Sequence, residues 1–324
     1  MNKESSAKFP VLLQEKTKPI LLVYGILIAI LIVAQIVSPG FISYDHMETV
    51  IRQSAFLGIV AIGQTFVILT GGIDLSVASV ISLSNIIAAQ VMSGTDRNVG
   101  AAFAMVLLTG LLTGLANGCC VYYLKIPPMV MTLAMGSVLE GIALIYSKGA
   151  PKGNTAPFVK FLGTGRIGGF LSPLILVWII LSALTILVLK KGLFGRNTYL
   201  VGTNTLASYY SGVNIAKQIV LVYVISGLMS ALTGILLVGY TNTSFINAGD
   251  VYSMNSIAAV VMGGTSIMGG YGGYVGTIAG SIIMTVIISL LTILHMPVSG
   301  RDIIQGLIII SLVLIYGRQM LKNR

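Results

Sequence analysis

From Ile20 to Val37 no charged residue and no proline interrupts the chain, and comparable apolar runs recur along its whole length. A helix needs about 20 such residues to cross the ~30 Å hydrocarbon core of a bilayer. In lipid, every backbone N–H and C=O must be satisfied internally, which leaves helices and closed barrels. A barrel would show segments of ~10 residues alternating apolar and polar. The runs here are continuous instead, so the reading is an all-α polytopic membrane protein. Composition agrees. The chain is 56% hydrophobic and 9% charged, with a mean hydropathy of +0.96, whereas soluble domains carry about 25% charged residues.

The runs place about ten transmembrane helices near 20–37, 53–70, 75–92, 99–124, 128–146, 173–189, 218–240, 254–268, 271–294 and 303–317. The domain reading is a cytoplasmic segment 1–19, a transmembrane domain 20–317 and a cytoplasmic tail 318–324. No small-residue cleavage site follows the first run, which reads as a retained span. The net charge of +10 does not indicate nucleic acid, because the cations cluster beside apolar runs, where they set topology. With the N-terminus inside, twelve of the 19 lysines and arginines fall on the inner side, giving both ends inside. The Gly- and Pro-rich connector 147–172 then lies outside, over the outer mouth.

Two segments are irregular. The second run passes into Thr70-Gly71-Gly72-Ile73-Asp74-Leu75-Ser76, and the eighth, short run ends Met262-Gly263-Gly264-Thr265-Ser266. One lies in each half. Paired Gly-interrupted segments point to a solute path in transporters, but glycines also permit close helix packing, and the two readings are compatible. Hydroxyl and amide groups beside glycine supply exchangeable hydrogen bonds. The expected translocation path is therefore Gln64, Thr70, Gly71, Gly72, Asp74, Ser76, Asn85, Asn117, Gly263, Gly264, Thr265 and Ser266. Asp74 is expected to cap the third helix and to fix geometry rather than bind solute. Glu140, in mid-span, is an unusual place for a charge and is assigned a cavity-facing structural role.

Catalytic chemistry is not visible. There is no G-x-x-x-x-G-K-[ST] loop, no nucleophile–base pair and no metal-ligand spacing. His46 and His295 sit at outer ends of spans, and Cys119 and Cys120 read as apolar packing residues. The chain carries no energy source of its own. The inner connector 190–217 contains one short helix, capped by Thr203 or Asn204 and ended by Gly212, which offers a surface to a partner.

Three motifs carry a resemblance to a known family. The run Gly63-Gln64-Thr65-Phe66-Val67-Ile68-Leu69-Thr70-Gly71-Gly72-Ile73-Asp74-Leu75-Ser76-Val77 resembles the signature of the ribose-type ABC sugar permeases. So does Ile257-Ala258-Ala259-Val260-Val261-Met262-Gly263-Gly264-Thr265-Ser266, followed by Gly269-Gly270 and Gly276-Thr277. Gly202, Asn204, Ala207, Ser211 and Gly212 match that family's cytoplasmic ATPase-coupling segment, although Thr205 and Tyr209 stand where many members carry charges. The resemblance implies a non-catalytic permease of a binding-protein-dependent importer in the bacterial cytoplasmic (inner) membrane. Its implied partners are cytoplasmic ATP-binding subunits that hold ATP and magnesium, a second permease copy or paralogue, and a periplasmic or lipid-anchored solute-binding protein. The solute is a sugar or sugar-like signal. The alternatives are nucleosides or branched-chain amino acids, or an ion-gradient-driven carrier.

Overall fold

In the computed structural model the backbone is described for residues 9–322, and side chains for 20–308, 310 and 311. The expected inner segment 1–19 and tail 318–324 lie outside the residues whose side chains are described. The described residues are helical, with no strand and two isolated β-bridges, Asn154 to Thr243 and Ile167 to Leu171. In order the helices are α1 (Phe9–Val37), α2 (Tyr44–Leu69), α3 (Val77–Met92), α4 (Val99–Tyr123), α5 (Pro128–Ser147), α6 (Pro157–Thr164), α7 (Pro173–Lys191), α8 (Leu193–Thr203), α9 (Thr205–Tyr210), α10 (Ile215–Thr241), α11 (Asp250–Met262), α12 (Tyr274–Ile293) and α13 (Val298–Lys322).

Each expected span falls on one of these helices, and 7 are long and apolar enough to cross a bilayer: α1, α2, α4, α5, α7, α10 and α12. Two others are too short for the task. At 1.5 Å per residue, the 16 residues of α3 and the 13 of α11 rise only ~24 and ~20 Å against a ~30 Å core. Non-helical chain precedes both. Residues 70–76 lead into α3, and residues 243–249 lead into α11. The eighth expected span therefore stops at Met262 instead of 268, because Gly264 turns left-handed at φ 85°. The ninth starts at Tyr274 instead of 271, because Gly269, Gly270 and Gly272 all have positive φ. The connector 190–217 holds two helices, α8 and α9, where the sequence reading placed one. α8 was missed because its buried residues, Gly195, Thr198 and Val201, form no apolar stripe.

α10 is the centre of the body and packs most extensively on α4, α3 and α2. Lipid tails give helices no hydrophobic reason to associate, so close approach of backbones at small residues does the work. A Cβ added at Gly114 would lie 2.5 Å from the Tyr223 carbonyl oxygen. One at Gly234 would lie 2.6 Å from that of Ile81, and one at Gly118 would lie 2.7 Å from the Val220 Cα. Side chains such as Ile179, Ile180, Leu184 and Leu187 of α7 stay exposed, as a lipid-facing surface requires. Hydrogen bonds run through the packed side. Trp178 Nε1 donates to the Tyr274 hydroxyl (2.9 Å), which donates to the Gly58 carbonyl (2.8 Å), joining α7, α12 and α2.

One end of the body carries α6, the other α8 and α9. At the α6 end, Glu48 of α2 is 7% exposed and pairs with Arg52 on its own helix and with Arg166 beyond α6. Arg166 Nη2 sits 2.6 Å from Glu48 Oε2, and Arg52 Nη1 donates to the Gly163 carbonyl at 3.2 Å.

Candidate functional site

The two Gly-Gly runs fold by the same local rule. After α2, the Gly71 N–H donates to the Ile68 carbonyl (2.9 Å) and the Gly72 N–H to that of Val67 (3.0 Å), with Gly71 at φ 80°. After α11, the Gly264 N–H donates to Val261 (2.9 Å) and the Thr265 N–H to Val260 (3.2 Å), with Gly264 at φ 85°. Both are Schellman ends, whose left-handed position favours glycine. The remaining glycine of each pair gives close approach. A Cβ at Gly72 would lie 2.6 Å from the Tyr223 hydroxyl, and one at Gly263 would lie 2.5 Å from the Gly276 carbonyl carbon.

Beyond Gly72 the chain turns back beside α2, and Asp74 organises the turn. Its Oδ1 accepts from the Ser76 N–H (3.0 Å) and hydroxyl (2.6 Å), and its Oδ2 from the Ser226 hydroxyl (2.7 Å). Asn117 Nδ2 donates to Ser76 Oγ at 2.9 Å, and the Gln64 amide donates to the Asp74 carbonyl. The Leu75 N–H donates to Thr132 Oγ1 (3.0 Å). One seven-residue turn is thus tied to α2, α3, α4, α5 and α10. The expected cap on α3 is corrected in detail. Ser76 occupies the N-cap position without a side-chain cap bond, and Asp74, two residues earlier, closes a turn onto the Ser76 N–H.

The segment before α11 docks on α3 through its backbone. The Phe245 N–H donates to Asn85 Oδ1 (3.2 Å) and the Gly249 N–H to Ser82 Oγ (2.9 Å), while Asn85 Nδ2 donates to the Gly234 carbonyl (3.4 Å). Gly249 lies against the Ala78 carbonyl with no room for a Cβ. The first turns of α3 and α11 are therefore neighbours. Beyond Gly264, Thr265 Oγ1 accepts from the Gly273 N–H (3.2 Å) and Ser266 Oγ from the Met268 N–H (3.2 Å), closing a small loop.

Of the twelve expected path residues, Gln64, Asp74, Ser76, Asn85, Asn117, Thr265 and Ser266 are buried polar groups bonded within the chain. Gly71 is exposed and Thr70 half-buried. Among the exposed acidic residues outside that set are Glu140 of α5 and Asp250, the first residue of α11. Ser79 Oγ, in the first turn of α3, donates to Glu140 Oε1 at 3.3 Å. The mid-span charge at Glu140 was visible in the sequence. Asp250 was not, because it fell in a connector.

The positions expected to couple to an ATPase divide. Asn204 caps α9, its Oδ1 accepting from the Ala207 N–H at 2.9 Å. Gly212 ends the helix at φ 79°. Asn204, Ala207, Ser211 and Gly212 are exposed, together with Leu206, Tyr209 and Tyr210. Gly202 instead faces inward from α8 against the Leu69 carbonyl.

Among the described residues, no group of three or more His, Cys, Asp or Glu is placed to hold a metal. Comparison with known proteins gives the family. The family described as branched-chain amino acid transport system, permease component, matches residues 46–313. The ribose import permease protein of Haemophilus influenzae is 35% identical over 294 residues, 89% of this chain and 90% of the relative. The galactose/methyl galactoside import permease protein of the same organism is 31% identical over 322 residues (93% and 95%), and the fructose import permease protein of Rhizobium meliloti is 33% identical over 282 (85% and 78%). No solved structure matches the chain. The match spans the helical body on both sides of the two glycine turns, and the chain belongs to this family of transport-system permease components.

Proposed function

We propose that the chain is the membrane-spanning permease subunit of an ATP-driven sugar importer in the bacterial cytoplasmic membrane. It crosses the bilayer ten times, counting α3, α11 and α13, with both ends inside. The α8–α9 end faces the cytoplasm, where an ATP-binding partner holds ATP and magnesium. The α6 end faces the solute-binding protein, and a second permease copy or paralogue completes the path.

The observation that carries the solute reading is the pair of interrupted helices whose first turns meet beside Glu140 and Asp250. Discontinuous helices mark solute sites in transporters. A carboxylate in mid-span costs about 2.5–3.5 kcal/mol against lipid, so an exposed Glu140 faces water or a partner. Two acids with Ser79 accept and donate hydrogen bonds to neutral hydroxyl groups. The similarity to ribose, galactose and fructose import permeases favours a sugar over the branched-chain amino acids of the family description. Thr70 and Gly71 border the path. Gln64, Gly72, Asp74, Ser76, Asn85, Asn117, Gly263, Gly264, Thr265 and Ser266 stand behind its wall and hold it.

The test is uptake into proteoliposomes by the complex reconstituted with its ATPase and binding protein. ATP-dependent uptake of a pentose or hexose is expected, with none from the permease alone. Ala207→Arg, on the exposed face of α9, is expected to keep assembly and to separate ATP hydrolysis from uptake. Uptake by the permease alone, or uptake of leucine in preference to any sugar, would overturn this reading.

A further inference from the structure

Three segments far apart in sequence meet at the α8 end with backbone against backbone. Gly202 of α8 packs on the Leu69 carbonyl, and a Cβ on it would also lie 2.6 Å from the Gly270 nitrogen. The Gly270 N–H donates to that same Leu69 carbonyl at 2.9 Å. A Cβ on Gly269 would meet Gly71 N at 2.8 Å, Leu69 O at 2.9 Å and Gly202 Cα at 3.2 Å, and one on Gly270 would meet Thr203 Cα at 2.9 Å. Leu69 is the last residue of α2, at the head of the first Gly-Gly turn, and Gly269 and Gly270 close the loop after the second. Tyr199 of α8 adds a further tie, its hydroxyl donating to the Gly272 carbonyl at 2.9 Å. α8 is itself held to α10, since Gln218 Nε2 donates to Thr198 Oγ1 at 2.6 Å and to the Phe194 carbonyl at 3.1 Å.

We infer that Gly202, Leu69, Gly269 and Gly270 form a rigid junction through which α8 moves both Gly-Gly turns as one body. Gly202 is then a positioning residue for transport and lies behind the ATPase-binding face. The physical reason is the absence of side chains at the contact. A side-chain layer absorbs a displacement by changing rotamers, whereas packed backbone has no such freedom and transmits strain. α8 runs through Asn204 into the exposed α9. A push on α9 therefore reaches Leu69 and Gly270 directly, then the Asp74 network beyond Gly72 and the start of α12 beyond Gly273. The inference rests on the reading of α9 as the ATPase-binding element.

Two measurements on the reconstituted complex test it. Gly202→Ala is expected to lower stimulation by loaded binding protein and uptake roughly tenfold or more relative to its own basal ATP hydrolysis. Stimulation and uptake at parental levels would overturn the junction. The second measurement keeps the native glycines. Cysteines at the exposed positions Thr203 and Tyr271, in a Cys119→Ala, Cys120→Ala background, are joined by a short bifunctional thiol reagent. If the segments move as one body, uptake survives the cross-link. Loss of uptake, restored by cleaving the linker, means that α8 slides over the turn, and it overturns the inference even if Gly202→Ala fails to assemble. Ala207→Arg separates the two claims. Normal uptake by that variant rejects α9 as the docking element. Loss of uptake there, with full activity in Gly202→Ala, rejects the junction alone.

Discussion

At the α6 end of the body α6 packs on α10 at Gly163 and Gly239, and long charged side chains add a second tie, to α2. Glu48 reaches Arg52 on its own helix and Arg166 across 118 positions of sequence, and Arg52 reaches the Gly163 carbonyl. At the α8 end Leu69, Gly202 and Gly270 touch through their backbones, with no side chain between them. A charged cluster is strong only while each member keeps its partners, and its exposed Arg166, with 46% of the side chain accessible, is partly screened by water. It ties α6 and the chain just after it, through Gly163 and Arg166, to α2. A glycine contact is insensitive to salt and leaves no slack. The charged ties at one end and the side-chain-free contact at the other suit the tasks proposed above, one end taking in solute and the other passing on a movement.

The sharpest test of this contrast is which end faces which side of the membrane. In a Cys119→Ala, Cys120→Ala background, a cysteine at Lys152 is expected to react fully with an impermeant thiol reagent added to intact cells. One at Thr205 is expected to react only after permeabilisation. The opposite pattern exchanges the two tasks.

Next in size is the glycine end. Gly270→Val adds a β-branched side chain at φ 73° where a Cβ already meets Thr203 Cα at 2.9 Å. Strain at such a position costs about 1–3 kcal/mol, and overpacking about as much again. The purified variant is expected to unfold at clearly lower temperature in detergent. A melting temperature equal to the parent's means that the contact has slack.

The charged end is expected to respond differently to single and paired changes. Glu48→Ala leaves Arg52, 8% exposed, without its carboxylate, and the loss is expected near 3 kcal/mol, the low end for a broken buried pair. Glu48→Leu combined with Arg52→Leu is expected to recover most of it, because apolar replacement of a buried pair is often neutral. If the double variant is no more stable than Glu48→Ala, the cluster does more than pair charges. Asn204→Ala gives the smallest effect. It removes the α9 cap bond, worth about 1 kcal/mol, while Asn204→Gly costs only a few tenths. Equal stability of the alanine and glycine variants would mean that the cap bond does not support α9.

Much of this fold follows from local pattern. Continuous apolar runs specify helices because lipid offers the backbone no other partner. Asn204 and Gly212 bracket α9 as their residue types require, and Gly71 and Gly264 stop α2 and α11 because a left-handed residue is needed there. The sequence also marked Glu140 as anomalous, since a charge in mid-span demands an explanation whatever surrounds it. The tertiary structure decided which polar groups point inward. Gln64, Asp74, Ser76 and Asn117 look alike in sequence, as polar groups beside glycine or within spans, yet Asp74 bonds Ser226 at 152 positions' separation and draws the whole set into the packed interior. The start of α11, with Asp250, came beside the first turn of α3 because residues 243–249 run along α3 before α11 begins. Gly202 became a junction because Leu69 and Gly270 arrive at the same point from opposite halves of the chain. Local sequence determines where a helix starts and stops through bonds spanning three to five residues. It holds no such bond for segments that meet from distant parts of the chain, and these contacts exist only once the helices have packed.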